Sequence, residues 1–113
     1  IPECVKLMPD TTIMIPTGFK AEIEPGYVMK LYMRSSMGKK GIVLANGTGI
    51  IDSDYRGEIF ACVRNVTNTS ILINNGDRIV QALIMKYEKC DIQEVSELSD
   101  TERGTGGFGS TGK

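Results

Sequence analysis

The chain has 113 residues, of which 41% are apolar, and its formal net charge at pH 7 is −1. These values predict a single domain with one modest core, and the scattered basic residues produce no field that would attract a polynucleotide. No run of about 18 apolar residues is present, so a membrane-spanning helix is excluded and we expect a soluble, cytoplasmic protein.

Short strands separated by turns are predicted along the first 90 residues. Residues 19–24 alternate, with Phe19, Ala21 and Ile23 on one face, as in a half-buried strand. Similar runs occur at residues 4–7, 12–15, 27–33, 42–44, 58–65, 71–73 and 78–85, and turn signals rich in Pro, Gly, Asn and Asp divide them. Residues 35–40 predict one helical turn with Ser35 as its N-cap. The regular spacing of short strands predicts an all-β barrel or sandwich.

The segment of residues 49–58 (GIIDSDYRGE) places a carboxylate and an aromatic ring together at the end of a strand. These groups belong to Asp52 and Tyr55. An isolated Asp in such a turn is often only an Asx-turn residue, and that is the role we expect for Asp54.

From Cys90 onward the sequence becomes polar and loses its periodicity, and it ends in a glycine-rich run at residues 103–112 (RGTGGFGSTG). Such a backbone can wrap closely around an anionic ligand, but it lacks the Gly-Lys-Ser/Thr ending and the following helix of an ATPase phosphate loop. We expect residues 1–90 to form the β core and residues 91–113 an arm that is disordered or ordered by a ligand.

The absence of histidine and the spacing of the cysteines restrict the possible catalytic and metal-binding chemistry. Histidine is absent, so acid–base chemistry must fall to carboxylates. The three cysteines, Cys4, Cys62 and Cys90, have no CxxC spacing, which favours reduced structural thiols over a disulfide framework or a zinc site. Together with the two glycine-bounded segments, these observations suggest a nucleotide phosphate site with its own general base.

Four separated segments resemble, in order and spacing, those of the trimeric deoxyuridine triphosphatases (dUTPases). They are residues 34–38 (RSSMG), 49–58, 76–81 (GDRIVQ) and 103–112. The resemblance implies a distorted jelly-roll barrel and a homotrimer whose active sites are shared between subunits, with each arm crossing to a neighbour. It also implies hydrolysis of dUTP to dUMP and pyrophosphate, which limits uracil in DNA and supplies dUMP for dTMP synthesis.

The resemblance implies three catalytic residues. Asp52 would orient and deprotonate a water for in-line attack on the α-phosphorus. Ser35 would bond the oxygen that bridges the α- and β-phosphates, where charge develops as pyrophosphate leaves. Gln81 would bind the α-phosphate region or metal-bound water. A structural reading remains open for Arg78, as a solvated strand end.

The implied substrate contacts cover the base, the sugar and the phosphates. Tyr55 would pack under the deoxyribose and leave no room for a 2′-hydroxyl, and Asn46 would bind the uracil edge unless Asn46-Gly47 serves only as a hairpin turn. Phe108 would stack on uracil and Arg103 would reach the γ-phosphate. The complete expected set is Arg34, Ser35, Ser36, Asn46, Gly49, Ile51, Asp52, Tyr55, Gln81, Arg103, Gly107, Phe108, Gly109, Ser110 and Thr111.

The resemblance also implies Mg²⁺, held mainly by the triphosphate and waters and not by protein ligands. The family has an Ala-Gly-x-Asp segment upstream of the strand that begins near Cys4, so we expect further residues before Ile1, with an Asp that holds metal-bound water.

Two alternatives stay open. A dCTP deaminase or its bifunctional relative shares the Arg-Ser-Ser segment and the strand with Gln, but Tyr55 and the full arm favour the hydrolase. A regulatory nucleotide-binding module is disfavoured by the intact Asp52 and Gln81.

Overall fold

The structure is a computed structural model that describes residues 1–109 and 112. Eight strands and one helix lie in this part of the chain. In order they are β1 (Val5–Leu7), β2 (Thr12–Pro16), β3 (Tyr27–Met33), α1 (Ser35–Lys39), β4 (Ile42–Leu44), β5 (Gly49–Ile51), β6 (Phe60–Asn65), β7 (Ile71–Ile73) and β8 (Val80–Lys86). The helix has five residues, and none of the described helices could cross a membrane.

The strands form three small antiparallel sheets. β1 pairs with β7, β6 lies between β2 and β4, and β3 lies between β5 and β8. None of these ladders joins two strands that are consecutive in the chain. The prediction of an all-β fold is therefore confirmed, and each sheet is closed by residues far apart in sequence.

The core lies between the inner faces of the sheets. Its largest fully buried apolar side chains are Leu7, Ile15, Ile42, Val63 and Ile73. Along β6 burial follows the two-residue period of a strand, since every second side chain points inward. The local alternation of apolar residues therefore specifies which face each strand buries.

The inward face of β6 ends in an amide. Asn65 is 0% exposed, and its Nδ2 donates to the carbonyl oxygens of Leu7 at 3.0 Å and Thr69 at 2.8 Å. Its Oδ1 accepts from the Thr67 backbone N–H at 2.9 Å and from Thr67 Oγ1 at 2.7 Å. Because the amide is fully hydrogen-bonded, its burial costs little, and it ties β1 to the loop that follows β6.

Two local predictions were wrong. Residues 19–24 belong to no ladder among the described residues: Ile23 is buried as predicted, but Phe19 is 70% exposed and its carbonyl accepts a single bond, from Ile59 at 2.8 Å. Ser35 is not the N-cap but the first helical residue, because Arg34 still pairs with the Ile79 carbonyl at 3.1 Å and keeps an extended conformation. No side chain caps this helix.

The C-terminal part of the chain leaves apolar surface uncovered. Leu83, Ile84 and Met85 of β8 are exposed, and β3 pairs with only one edge of that strand. The described residues after β8 form no helix or strand, and there Ile92 is 93% and Leu98 86% exposed. The radius of gyration is 19.0 Å, whereas a compact domain of about 100 residues has about 13 Å. This part of the chain therefore extends away from the core.

Candidate active site

The loop that follows β5 carries the predicted general base. The Tyr55 backbone N–H donates to the Asp52 carbonyl at 3.2 Å, which closes a turn, and Asp54 lies within that turn as predicted. Arg56 braces the loop, because its Nη1 donates to the Ser53 carbonyl at 2.6 Å and its Nη2 lies 3.5 Å from Glu22 Oε1. The Asp52 side chain is exposed, and within the described residues nothing bonds its carboxylate. A braced backbone thus presents a free carboxylate.

The ring of Tyr55 is held by backbone on two sides. Its Oη donates to the Glu58 carbonyl at 2.7 Å. Its ring edge lies against Gly57, where an added Cβ would be 2.5 Å from Oη and 2.7 Å from Cζ. The side chain therefore folds back over the three residues that follow it.

A cavity of ≈250 Å³ lies against this loop. Its lining comprises Met14, Ile50, Ile51, Asp52, Tyr55, Glu58, Ile59 and Phe60. Of these, Ile51, Asp52 and Tyr55 were predicted from the sequence. Met14 and Phe60 were missed; they lie on β2 and β6, which pair with each other, and both line this cavity. No local signal in the sequence marks either residue.

The turn at Asn46-Gly47 exists, but it does not make a hairpin. The Gly47 N–H donates to the Leu44 carbonyl at 3.0 Å, yet β4 pairs with β6 and β5 with β3, so the turn passes the chain from one sheet to another. The Asn46 side chain is exposed. Gly49 is buried, and a Cβ there would lie 3.0 Å from Leu31 Cβ. Close approach of β5 to β3 therefore depends on that glycine.

A second group of predicted residues lies where β3 ends and β8 begins. Arg34 Nη1 donates to the Arg78 carbonyl at 3.0 Å, and Gln81 Nε2 donates to the Met33 carbonyl at 3.4 Å. Ser35 and Ser36 are exposed at the start of α1. Four predicted residues, Arg34, Ser35, Ser36 and Gln81, are thus grouped by the pairing of β3 with β8.

Within one chain, the loop that carries Asp52 and the group that contains Gln81 lie at different places along β3. Gln81 pairs with Tyr32 on one side of β3, whereas Ile51 pairs with Met29 on the other side. Asp52 lies one residue beyond that pair, level with Val28. A separation of four residues along a strand and two strand spacings across it corresponds to about 16 Å. Within one chain, the backbones of Asp52 and Gln81 are therefore far apart for two residues that are both expected at one phosphate.

The described residues of the arm form no hydrogen bond or ion pair with either group. Arg103 Nε donates to the Gly106 carbonyl at 2.9 Å, and the Gly106 N–H returns a bond to the Arg103 carbonyl at 3.1 Å, so this arginine closes a local turn. Phe108 is fully exposed. The other predicted residues here are Gly107 and Gly109, which flank Phe108, and Ser110 and Thr111, which lie outside the described residues.

The described residues contain no cluster of three or more acidic or cysteine side chains that could hold a metal ion. All three cysteines are free thiols. A metal ion bound by this part of the chain would therefore need other ligands, and a triphosphate supplies oxygen ligands of the kind that Mg²⁺ prefers.

Comparison with known proteins points to one family. A family model described as dUTPase matches residues 1–112. A curated protein of Nautilia profundicola, named deoxyuridine 5′-triphosphate nucleotidohydrolase, is 48% identical over 112 residues, which are 98% of this chain and 79% of that protein. A protein of the same name from Finegoldia magna is 45% identical over 109 residues, or 96% of this chain and 76% of its own.

Solved structures agree with the sequence relatives. The dUTPase of Streptococcus mutans superposes with a TM-score of 0.77 at 35% identity and covers 80% of this chain and 77% of its own. The dUTPase of Staphylococcus bacteriophage 80alpha, solved with dUPNHPP, gives a TM-score of 0.89 at 28% identity over 98% of this chain and 82% of its own. These likenesses confirm the expected jelly-roll type of all-β fold.

Proposed function

The chain belongs to the dUTPase family, and from this premise we propose that it is a dUTP diphosphatase, which hydrolyses dUTP to dUMP and pyrophosphate. The observation that carries the proposal is the loop after β5, where an exposed carboxylate and a fixed aromatic ring line one cavity. A nucleotide enzyme without histidine needs such a carboxylate as its base.

Asp52 acts on the attacking water. Its carboxylate is free of protein partners within the described residues, so it can accept a hydrogen bond from water and then a proton as that water attacks the α-phosphorus. The loop that carries it is braced by Arg56, which keeps the carboxylate in place. Tyr55 packs under the sugar, and Asn46 with the backbone of Gly49 and Ile51 binds the uracil edge.

The leaving group is handled by the second group of residues. Ser35 donates to the oxygen that bridges the α- and β-phosphates, and this bond strengthens as charge develops there. Gln81 binds at the α-phosphate, while Arg34 and Ser36 support the phosphate chain. Mg²⁺ would be held by the triphosphate and waters, where it would supply positive charge against the phosphate oxygens.

Both groups are expected at one α-phosphate, so we propose that more than one chain forms the complete site. We place Asp52 and Gln81 of one site on neighbouring subunits of a homotrimer, because about 16 Å separates them within a protomer. The exposed apolar side chains of β8 and of the segment after it provide surface for such contacts.

The arm closes the site from outside. Its exposed Phe108 stacks on uracil, Arg103 leaves its local turn to reach the γ-phosphate, and Ser110 and Thr111 bond the terminal phosphates. Gly107 and Gly109 let the backbone follow the nucleotide. Closure expels water, which strengthens the charge-assisted bonds to the triphosphate.

Product analysis tests the activity directly. The chain is incubated with Mg²⁺ and, separately, with dUTP, dCTP, dTTP and UTP, and the products are separated by chromatography. We expect dUTP alone to give dUMP and pyrophosphate. Deamination of dCTP would place the chain with the deaminases of similar fold, and failure to convert any of the four would leave a nucleotide-binding module.

Complementation tests the shared site. Asp52→Asn and Gln81→Ala are each expected to be inactive alone. If the two groups of one site come from different chains, unfolding and refolding the variants together restores about a quarter of the sites, since random mixing makes about a quarter of the pairings intact on both sides. If both groups came from one chain, every site in the mixture would carry one lesion and no activity would return.

A further inference from the structure

The hydroxyl of Tyr55 already makes a hydrogen bond within the protein. Its Oη donates its proton to the Glu58 carbonyl at 2.7 Å. A hydroxyl has one proton to donate, so this side chain cannot also donate to a sugar hydroxyl without giving up that bond. The part of Tyr55 that faces a ligand is therefore the carbon surface of its ring.

The ring owes its position to the missing side chain at Gly57. A Cβ there would lie 2.5 Å from Oη, 2.7 Å from Cζ and 3.0 Å from Cε1. Carbon atoms in contact prefer separations of about 3.5–4.0 Å. An alanine at this position would therefore push the ring outward by about 1 Å and break or stretch its bond to Glu58.

The backbone of the loop is less free to move than the ring. Arg56 is bonded to the Ser53 and Tyr55 carbonyls and paired with Glu22, and the Tyr55 N–H closes the turn from Asp52. The clashing atoms of Tyr55 lie at the end of a side chain that is 42% exposed. Strain at residue 57 is therefore relieved by movement of the ring, and the loop is retained.

From this geometry we infer that Gly57 is a positioning residue that sets sugar selectivity through Tyr55. The inference rests on the proposed function, in which the ring lies under the deoxyribose. A ring fixed by Gly57 and the Glu58 carbonyl offers a 2′-hydroxyl neither space nor a donor, so a ribonucleotide would bury that hydroxyl unpaired. A displaced ring leaves room for the hydroxyl and loses contact with the deoxyribose.

The test compares kcat/KM for dUTP and UTP in the full chain with Mg²⁺. Wild type, Gly57→Ala, Tyr55→Ala and the Gly57→Ala/Tyr55→Ala double variant form a double-mutant cycle. We expect Gly57→Ala to lower the dUTP-to-UTP ratio at least about tenfold, since a displacement of about 1 Å can cost about 100-fold. In the Tyr55→Ala background the same change at residue 57 should leave the ratio unaltered, because no ring remains to be displaced.

Tyr55→Phe gives a graded companion measurement. It retains the ring and the contact with Gly57 but lacks the proton that bonds the Glu58 carbonyl, so its ratio should fall less than that of Gly57→Ala. Melting temperatures within about 4 °C of wild type would show that the variants fold, which corresponds to about 1 kcal/mol for a domain of this size.

Each outcome bears on a different part of the reasoning. If wild type selects dUTP and folded Gly57→Ala keeps the full ratio, the role of Gly57 is wrong while the proposed function stands. Equal effects of Gly57→Ala in the presence and absence of the Tyr55 ring would also overturn it. A wild-type chain that hydrolyses UTP as readily as dUTP would instead overturn the proposed function, and this role with it.

Discussion

Replacing Gly41 by alanine should destabilise the fold for two separable reasons. Gly41 joins α1 to β4 with φ +91°, a conformation that costs a residue with a Cβ about 1–2 kcal/mol. In addition, the new Cβ would meet Thr67 Cγ2, which lies 2.2 Å from the position the Cβ would take. The backbone cannot easily withdraw, because the Gly41 carbonyl accepts a bond from the Val66 N–H at 2.9 Å.

Thr67 cannot turn away without a further loss. Its Oγ1 lies 2.7 Å from Asn65 Oδ1 and 2.9 Å from the Thr69 carbonyl, so rotation about χ1 would break the hydrogen bond that its one proton makes with either acceptor. Losing a hydrogen bond to a buried group costs about 1–3 kcal/mol. Together with the backbone strain, we expect Gly41→Ala to lower the free energy of unfolding by about 2–5 kcal/mol.

Gly26 offers a matched control. It has the same φ of +91°, and a Cβ there would meet nothing within 4 Å. Thermal unfolding monitored by circular dichroism should therefore show that Gly26→Ala lowers the free energy of unfolding by about 1–2 kcal/mol and that Gly41→Ala lowers it further. Thr67→Ser removes Cγ2 and keeps the hydroxyl. Combined with Gly41→Ala, it should therefore reduce the loss of stability toward that of Gly26→Ala. Equal losses at the two glycines would refute the steric part of the reasoning.

Three further predictions concern the core, the base and the arm. Asn65→Leu should lower the free energy of unfolding, measured in urea, by about 2–4 kcal/mol, because the buried Leu7 carbonyl loses its donor. An unchanged urea midpoint would contradict this. Asp52→Ala should reduce kcat for dUTP at least about 100-fold with nucleotide affinity, measured by calorimetry, largely kept; full turnover would remove Asp52 from the mechanism. Ending the chain before Arg103 should cut kcat/KM at least about tenfold and leave the melting temperature nearly unchanged, since the described arm is exposed; a large loss of stability would show that the arm supports the core.

Much of the local structure follows from the sequence. The two-residue alternation in β3 and β6 and the turn residues between strands locate most elements to within a residue or two. Residues 19–24 have the same alternation but find no partner strand in the part of the chain that the structure describes, and alternation alone cannot supply one. In the same way, the hydroxyl of Ser35 indicates a helix start, but the ladder between β3 and β8 decides that Arg34 is the residue that switches conformation.

The sequence predicts a set of candidate site residues but not how they are arranged in space. Motif spacing predicts Asp52, Tyr55 and Gln81 as site residues, yet the distances between them depend on which strands flank β3, and no local pattern specifies that. The contact of Tyr55 with Gly57 and its hydrogen bond to the Glu58 carbonyl could not be predicted either. In the sequence, Gly57 has the appearance of an ordinary turn residue. The pairing of strands in the tertiary structure determines this arrangement, and the local sequence does not specify it.

The absence of ladders between consecutive strands in the described chain has a consequence for its biosynthesis. Val5 pairs with Ile73, so β1 has no partner until the ribosome has translated most of the chain. At about 5–20 residues per second, that wait lasts about 3–14 seconds. During it Leu7, wholly buried in the folded protein, stays uncovered. Folding therefore begins late and by long-range closure, which is slow compared with growth from a local hairpin.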